Sequence, residues 1–231
     1  MRGLFVTGTD TGVGKTQVAA ALARLMVNEN IAVRPRKPIE SGCTQAENGL
    51  IGQDALTLKT AAQSSDSLDL ICPYQFQPAI SPERAALQAG VQLSLDDLQQ
   101  ACLAGVDSDD FLLIEAAGGF YSPLANHIRC SELAKRMNLP VLLVVADKLG
   151  CINHALLTAH TIDQAGLKLS AVVLNQIPAG DNSAMDNLAD LENWLGRSII
   201  PINHQNTTDM AWKNIAVESI ELQQLVSSGL F

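Results

Sequence analysis

A glycine-rich segment near the N-terminus has the residue types and the order of a phosphate-binding loop. Residues 8–16 read GTDTGVGKT, after a short apolar run and before an amphipathic one. Glycines let consecutive backbone N–H groups turn toward an anion, and the N-terminus of a following helix adds positive partial charge. Lys15 can then reach β- and γ-phosphates, and the Thr16 hydroxyl can ligate Mg²⁺. The segment predicts a nucleoside triphosphate site, although five residues separate Gly8 from Gly14, one more than in the usual motif.

Two carboxylates could supply the oxygen ligands that Mg²⁺ prefers. Glu115 ends the apolar run Phe111–Ile114 and precedes the small residues 116–119, so its side chain would face the phosphate end of a sheet. An acidic residue in this position holds the metal in many P-loop proteins. The alternative is a buried glutamate bonded to backbone amides. Asp54 has no comparable signature in its neighbours.

A second lysine, Lys37, closes another β-rich run and is flanked by Pro35 and Pro38. A lysine at a strand end beside a phosphate loop could stabilise charge on a transferring phosphoryl group. From its position alone, a solvated surface lysine is an equal alternative.

The rest of the chain supplies the elements that would position these side chains. Short β-rich runs recur, and we interpret them as strands: Leu4–Thr7, Ala32–Lys37, Phe111–Glu115, Val141–Val145 and Ala171–Asn175. Several are almost continuously apolar, which is typical of parallel strands covered by helices on both faces. The sequence therefore predicts a sheet with two buried faces.

Helical patterns alternate with these runs. Thr16–Val27 and Ile152–Ala165 each present an apolar face, and Ser94–Asp97 resembles a helix N-cap. Residues 42–89 are irregular and rich in proline, so we expect short helices and excursions over the site. The alternation predicts one domain over residues 1–231, with a doubly wound, mostly parallel α/β sheet flanked by helices: the P-loop NTPase fold.

The composition limits the kinds of partner that the protein could bind and the compartment in which it could work. The net charge is −9, from 24 acidic and 15 basic side chains, which disfavours a nucleic acid partner. The five cysteines are widely spaced without a metal-binding or disulfide pattern, so we expect reduced thiols. No apolar run is long enough to cross a membrane, and no signal peptide pattern opens the chain. These features predict a cytoplasmic protein that needs no membrane partner.

Four motifs together resemble the dethiobiotin synthetases. The resemblance runs from Leu4 to about Asn175 and rests on the glycine loop, Lys37-Pro38 with Ser41-Gly42, Glu115 with Gly118-Gly119, and residues 148–155, which read KLGCINHA. The long glycine loop is shared with cobyrinic acid diamide synthases, so the lysine and GCINH motifs are the discriminating ones. Two positions depart from the family pattern, because residue 40 is Glu and residue 116 is Ala.

The resemblance implies an ATP- and Mg²⁺-dependent ligase. The family carboxylates 7,8-diaminopelargonic acid with CO₂, phosphorylates the carbamate with ATP, and closes a ureido ring to give dethiobiotin, ADP and phosphate. The substrate's own amine and carbamate are the nucleophiles, so the absence of a Ser-His-Asp or Cys-His arrangement is expected.

The resemblance also implies roles for individual residues. Lys15 and Lys37 would stabilise the carbamate and the γ-phosphate, Thr11 and Ser41 would hold the substrate, and Thr16, Asp54 and Glu115 would surround Mg²⁺. Gly150, Cys151 and Asn153 would bind the substrate carboxylate across a homodimer interface, so that each site is completed by the partner subunit. The expected nucleotide contacts are Gly12, Val13, Gly14, Lys15, Thr16, Gln17, Asp54, Glu115, Ala116, Ala117, Gly118, Asn175, Gln176, Pro201, Ile202 and Asn203.

Two other functions stay open at this point. A cobyrinic acid diamide synthase-like ligase uses a related loop but normally carries a glutaminase domain. A nucleotide-switch ATPase of the partitioning kind usually has a second lysine inside the loop, where residues 9–13 here read TDTGV.

Overall fold

A computed structural model describes residues 1–47, 49–176, 185–205 and 210–229. Its strands are β1 (Arg2–Gly8), β2 (Val33–Arg36), β3 (Ile39–Ser41), β4 (Thr44–Ala46), β5 (Gly49–Ile51), β6 (Tyr74–Phe76), β7 (Phe111–Glu115), β8 (Pro123–Ala125), β9 (Ile128–Arg129), β10 (Val141–Ala146), β11 (Leu169–Asn175) and β12 (Ile200–Ile202). Its helices are α1 (Lys15–Asn28), α2 (Gln53–Ala61), α3 (Leu68–Ile71), α4 (Pro82–Gln88), α5 (Leu95–Leu103), α6 (Cys130–Met137), α7 (Cys151–Gln164), α8 (Asn187–Leu195), α9 (Ala211–Glu218) and α10 (Ile220–Ser227).

The central sheet has the order β12-β11-β10-β1-β7-β2, and every neighbouring pair in it is parallel. Strand β1 lies in the middle of the sheet, and the later strands add on both sides of it. The strand order therefore reverses beside β1. Ligands of such sheets bind beyond the carboxyl ends of the strands at this turning point. The predicted doubly wound α/β fold is confirmed, and the glycine loop lies where the topology favours a ligand.

Alternating side chains of β1 show how the two faces are filled. Leu4 and Val6 join an apolar cluster that includes α1, α2, α9 and α10, whereas Phe5 joins a cluster that includes α4, α5, α6 and α7. Successive strand residues point to opposite faces, so a continuously apolar strand requires helices on both. The five predicted strands and three predicted helices are confirmed to within a few residues at their ends.

Smaller pairs of strands surround the site end of the sheet. The antiparallel pair β4-β5 and strand β6 lie in the irregular region 42–89 that the prolines predicted, together with α2, α3 and α4, and β3, the parallel partner of β6, lies just before it. A third pair, β8-β9, follows the loop after β7. All five cysteines are free thiols, as predicted. Within the described ranges, no helix is long and apolar enough to cross a membrane.

Candidate active site

The loop after β1 turns directly into α1. Gly14 caps α1 with a left-handed φ of 96°, and no described side chain caps this helix, so its first amides face the loop interior. Asn175, at the end of β11, donates from Nδ2 to the carbonyl of Val13 over 3.0 Å, and a Cβ on Gly14 would collide with that amide. This hydrogen bond holds the loop against the end of β11, and position 14 requires glycine.

Lys15 lies inside the loop rather than in solvent. It is 6% exposed, and its Nζ donates to the carbonyl of Asp10 over 2.8 Å. Burial lowers the pKa of Lys15, and the neighbouring ammonium of Lys37 lowers it further. Two cations held close together in a buried setting favour an anion beside them.

A cluster of four polar side chains lies next to this loop, one each from α1, α2, β7 and the residue after β2. The ammonium of Lys37 lies 2.6 Å from Glu115 Oε1 and 2.8 Å from Asp54 Oδ2. Thr16 donates from Oγ1 to the same Glu115 oxygen over 2.9 Å. Lys37 is 2% exposed and Glu115 is fully buried, so Lys37 is not the solvated surface lysine that its position alone left open.

Burial and charge act against each other in this cluster. Burial alone would lower the pKa of Lys37, but the carboxylates of Glu115 and Asp54 outweigh it and raise that pKa. Burial raises the pKa of Glu115, and Lys37 opposes this change. For Asp54, burial is outweighed by the ammonium of Lys37, which lowers the pKa. Lys37 is therefore held as a cation at the centre of the cluster.

The oxygen atoms of this cluster fit Mg²⁺. Glu115 Oε2 is buried and has no hydrogen-bond partner within the described structure, so one carboxylate oxygen is free for a further cation or donor. The hydroxyl of Thr16 and the carboxylate of Asp54 are also hard oxygen donors, as this ion prefers. The described residues hold no group of three or more His, Cys, Asp or Glu side chains suited to a metal, so phosphate oxygens and water would complete the coordination.

These groups line a cavity of about 700 Å³ at the carboxyl end of the sheet. It brings together twelve of the predicted site residues: Thr11, Gly12, Gly14, Lys15, Thr16, Gln17, Lys37, Ser41, Asp54, Glu115, Ala117 and Gly118. Ala79–Pro82 and Ser122-Pro123 line it as well and were not predicted. The cavity thus extends past the phosphate loop toward Ser41.

Comparison with known proteins decides the family. A family model described as an AAA domain matches residues 2–207. ATP-dependent dethiobiotin synthetase BioD of Vesicomyosocius okutanii is 38% identical over 226 residues, covering 98% of this chain and 100% of that protein. The same enzyme of Pseudomonas paraeruginosa is 41% identical over 192 residues, covering 83% of this chain and 84% of its own. This chain belongs to the ATP-dependent dethiobiotin synthetase family. It is an ATP-dependent ligase of biotin biosynthesis with a P-loop.

Solved structures of more distant proteins share the fold of this dethiobiotin synthetase family member. The septum site-determining protein MinD of Pyrococcus horikoshii, complexed with Mg-ADP, superposes with a TM-score of 0.60 at 16% identity, covering 99% of this chain and 94% of that one. A ParA family ATPase of Chlorobium tepidum superposes with a TM-score of 0.58 at 14% identity, covering 100% and 98%. At these identities the likeness concerns the fold.

Some predicted dethiobiotin synthetase residues lie outside this cavity. Val13 and Ala116 are buried; the Val13 carbonyl accepts from Asn175, and the Ala116 carbonyl lies 3.4 Å from Nζ of Lys37, which lines the cavity. Ile202 is 3% exposed and belongs to the apolar core. Of the residues expected beside it, Pro201 and Asn203 line a separate space of about 200 Å³. Gln176 directly follows the neighbouring strand, β11.

The predicted carboxylate segment begins α7, as expected from its glycine. Gly150 caps the helix with a φ of 89°, and Asn153 is exposed. The side chain of Cys151 is 1% exposed, and its N–H donates to the carbonyl of Lys148 over 3.0 Å. The next amides of the first turn lack intrahelical partners and remain suited to a carboxylate.

Glu40 is the principal residue of the site that sequence reasoning did not assign. It is 6% exposed, lines the cavity, and accepts hydrogen bonds from the backbone of α2. Burial raises its pKa to about 7, with Asp54 adding to the effect. Its one signal in the sequence was that the family often has a small residue at position 40.

Proposed function

We propose that this ligase carboxylates a vicinal diamine, 7,8-diaminopelargonic acid, and closes it to dethiobiotin with ATP. The observation that carries the proposal is the shape of the cavity: it begins at the phosphate loop, contains the buried ammonium of Lys37, and extends to Ser41 and Ala79–Pro82. A nucleotide at the loop would leave the far part for a second substrate. The relatives named dethiobiotin synthetase support the identity of that substrate.

The chemistry has three steps. One amine adds to CO₂ and gives a carbamate. A carbamate oxygen attacks the γ-phosphorus of ATP, ADP leaves, and a carbamic–phosphoric anhydride forms. The second amine attacks the carbonyl carbon, the bond from carbon to the phosphate oxygen breaks, and the ureido ring closes. The substrate provides every nucleophile, so the protein's work is orientation and charge stabilisation.

Lys15 and Lys37 would carry the charge stabilisation. Lys15 reaches the cavity from the loop, and Lys37 reaches it from the end of β2. The transferring phosphoryl group and the carbamate would therefore lie between two ammonium groups. Both are largely buried, and fixed charges act more strongly where water is excluded. Water exclusion would also protect the anhydride from hydrolysis.

Mg²⁺ would be held by Thr16, Asp54 and Glu115. When bound, it supplies positive charge to phosphate oxygens of ATP. The residues themselves fix where that charge is: Glu115 is immobilised by burial, and the hydroxyl of Thr16 lies 2.9 Å from it.

The amides at the start of α7 would hold the substrate carboxylate of a neighbouring subunit in a homodimer. Near this helix start, Leu149 and Leu157 are large apolar side chains that are 84% and 58% exposed. Exposed apolar residues beside a helix start would be covered in a dimer, which supports sites completed across the interface.

Product analysis tests this function. Purified protein is incubated with 7,8-diaminopelargonic acid, ATP, Mg²⁺ and bicarbonate, and the mixture is examined by mass spectrometry for dethiobiotin. We expect product only when all four components are present, with one ADP formed for each dethiobiotin. ATP hydrolysis that is indifferent to the diamine would instead indicate a nucleotide switch.

A further inference from the structure

The N-terminus of α2 is held by the strand pair β3-β6 rather than by its own cap. Glu40 of β3 accepts from the Asp54 amide through Oε1 over 2.9 Å and from the Ala55 amide through Oε2 over 3.1 Å. Gln75, the register partner of Glu40 on β6, accepts from the Gly52 amide over 3.1 Å. Two neighbouring strand residues therefore bind three backbone amides of one helix start, those of residues 52, 54 and 55.

The local sequence of α2 is built for this arrangement. Its N-cap residue is Gly52, which has no side chain to cap the helix. A Cβ at this position would collide with the Glu40 carboxylate, so glycine makes room for the acceptor from β3. An anion at a helix N-terminus also interacts favourably with the helix dipole. Glu40 thus replaces the missing cap with a bidentate one.

The first turn of α2 contributes one of the four polar side chains that cluster around the Lys37 ammonium. Asp54 occupies the first turn of α2, and its carboxylate lies 2.8 Å from Lys37 Nζ. The amide of the same residue is one of the two that Glu40 binds. The bond from the Asp54 amide to Glu40 therefore fixes the backbone from which the partly exposed Asp54 carboxylate reaches Lys37.

We propose that Glu40 is a positioning residue: by capping α2 it fixes Asp54 against Lys37 and keeps the carboxylate in place for Mg²⁺-nucleotide. The proposal rests on the proposed function for the identity of the reaction, but its physical content concerns nucleotide and metal alone. Both carboxylate oxygens of Glu40 accept from backbone amides of α2, so this role of Glu40 is exerted through Asp54.

A double-mutant cycle on the nucleotide site tests this role. Binding of β,γ-methylene-ATP is measured by calorimetry over a series of Mg²⁺ concentrations, without diamine, for the wild type, Glu40→Ala, Glu40→Gln, Asp54→Asn and both double variants. Asp97→Asn is the matched control, because Asp97 caps α5 in the same chemical way but faces solvent. Thermal unfolding of each variant shows that it is folded.

We expect Glu40→Ala to raise the Mg²⁺ concentration for half-saturation by about tenfold, the size that follows from losing a helix cap. Glu40→Gln keeps one acceptor oxygen and should raise it by roughly threefold. In the Asp54→Asn background both changes should shrink to within about twofold, since residues that act as a unit are not additive. Asp97→Asn should leave the value unchanged.

Two results would overturn the proposal. One is an unchanged Mg²⁺ dependence in both Glu40 variants, and the other is an equal shift with and without the Asp54 carboxylate. If Glu40→Ala does not fold, Glu40→Gln and its double variant decide by the same criterion. A wild type that binds nucleotide as expected but forms no dethiobiotin would refute the proposed function and leave this result standing.

Discussion

Replacement of Lys37 by methionine should destabilise the protein as well as inactivate it. Methionine keeps most of the length of the side chain and removes the ammonium, which is 2% exposed and lies 2.6 Å from Glu115 Oε1. Two unit charges at that separation attract by about 6 kcal/mol at an effective dielectric constant of about 20. Desolvation of the two ions offsets much of this attraction.

The cost comes mainly from the carboxylate that is left behind. Breaking a buried ion pair by removing one partner typically costs about 3–5 kcal/mol, because the other charge stays buried without compensation. We therefore expect Lys37→Met to lower the free energy of unfolding of the nucleotide-free protein by about 3 kcal/mol or more. Adding Glu115→Gln should restore at least half of that loss, whereas ring closure should stay undetectable.

Urea denaturation at equilibrium, followed by circular dichroism, measures these differences. Lys135→Met is the control, because Lys135 is an exposed lysine on α6. Its effect should stay within about 0.5 kcal/mol. An equal stability of Lys37→Met and the wild type, or no recovery in the double variant, would refute the view that Lys37 compensates a buried carboxylate.

Three further outcomes follow from the site. Asp54→Asn and Glu115→Gln should each raise the Mg²⁺ concentration needed for half-maximal activity, and unchanged midpoints in a Mg²⁺ titration would point to another metal site. Gly14→Ala should lose ATP binding by calorimetry while the rest of the fold persists, because the new Cβ meets Asn175; normal ATP affinity would contradict this. Asn153→Ala should weaken the diamine far more than ATP, and mixing it with Lys37→Ala should restore up to about a quarter of wild-type activity through heterodimers. Absence of recovery after verified subunit exchange would mean that each site is built within one chain.

Much of the fold could be predicted because its signals are local. The strand β7 is continuously apolar, the capping box at Ser94 and Asp97 starts α5, and Gly166 takes a left-handed φ of 74° just after α7. Each of these depends on a few consecutive residues. The pair β3-β6 could not be predicted, because its strands are three residues long and their partners are far apart in the sequence.

The site residues likewise divide into those with a local sequence signal and those without one. The loop residues 8–16 and Glu115 are marked by their neighbours, so sequence alone assigned them to phosphate and metal. Asp54 has no local mark and became a candidate only through the resemblance to a family; the structure brings it to Lys37 by way of α2. Glu40 was missed because its function depends on an amide fourteen residues away, a distance along the chain that only folding closes.

The central claim is that a carbamate formed from CO₂ is activated by phosphoryl transfer and then closed by the second amine. Oxygen labelling tests it directly: the protein is supplied with freshly dissolved C¹⁸O₂, the diamine, ATP and Mg²⁺, and the phosphate and dethiobiotin are analysed by mass spectrometry. One labelled oxygen is expected in the phosphate and one in the ureido carbonyl, at equal enrichment. Dethiobiotin formed together with unlabelled phosphate would contradict it.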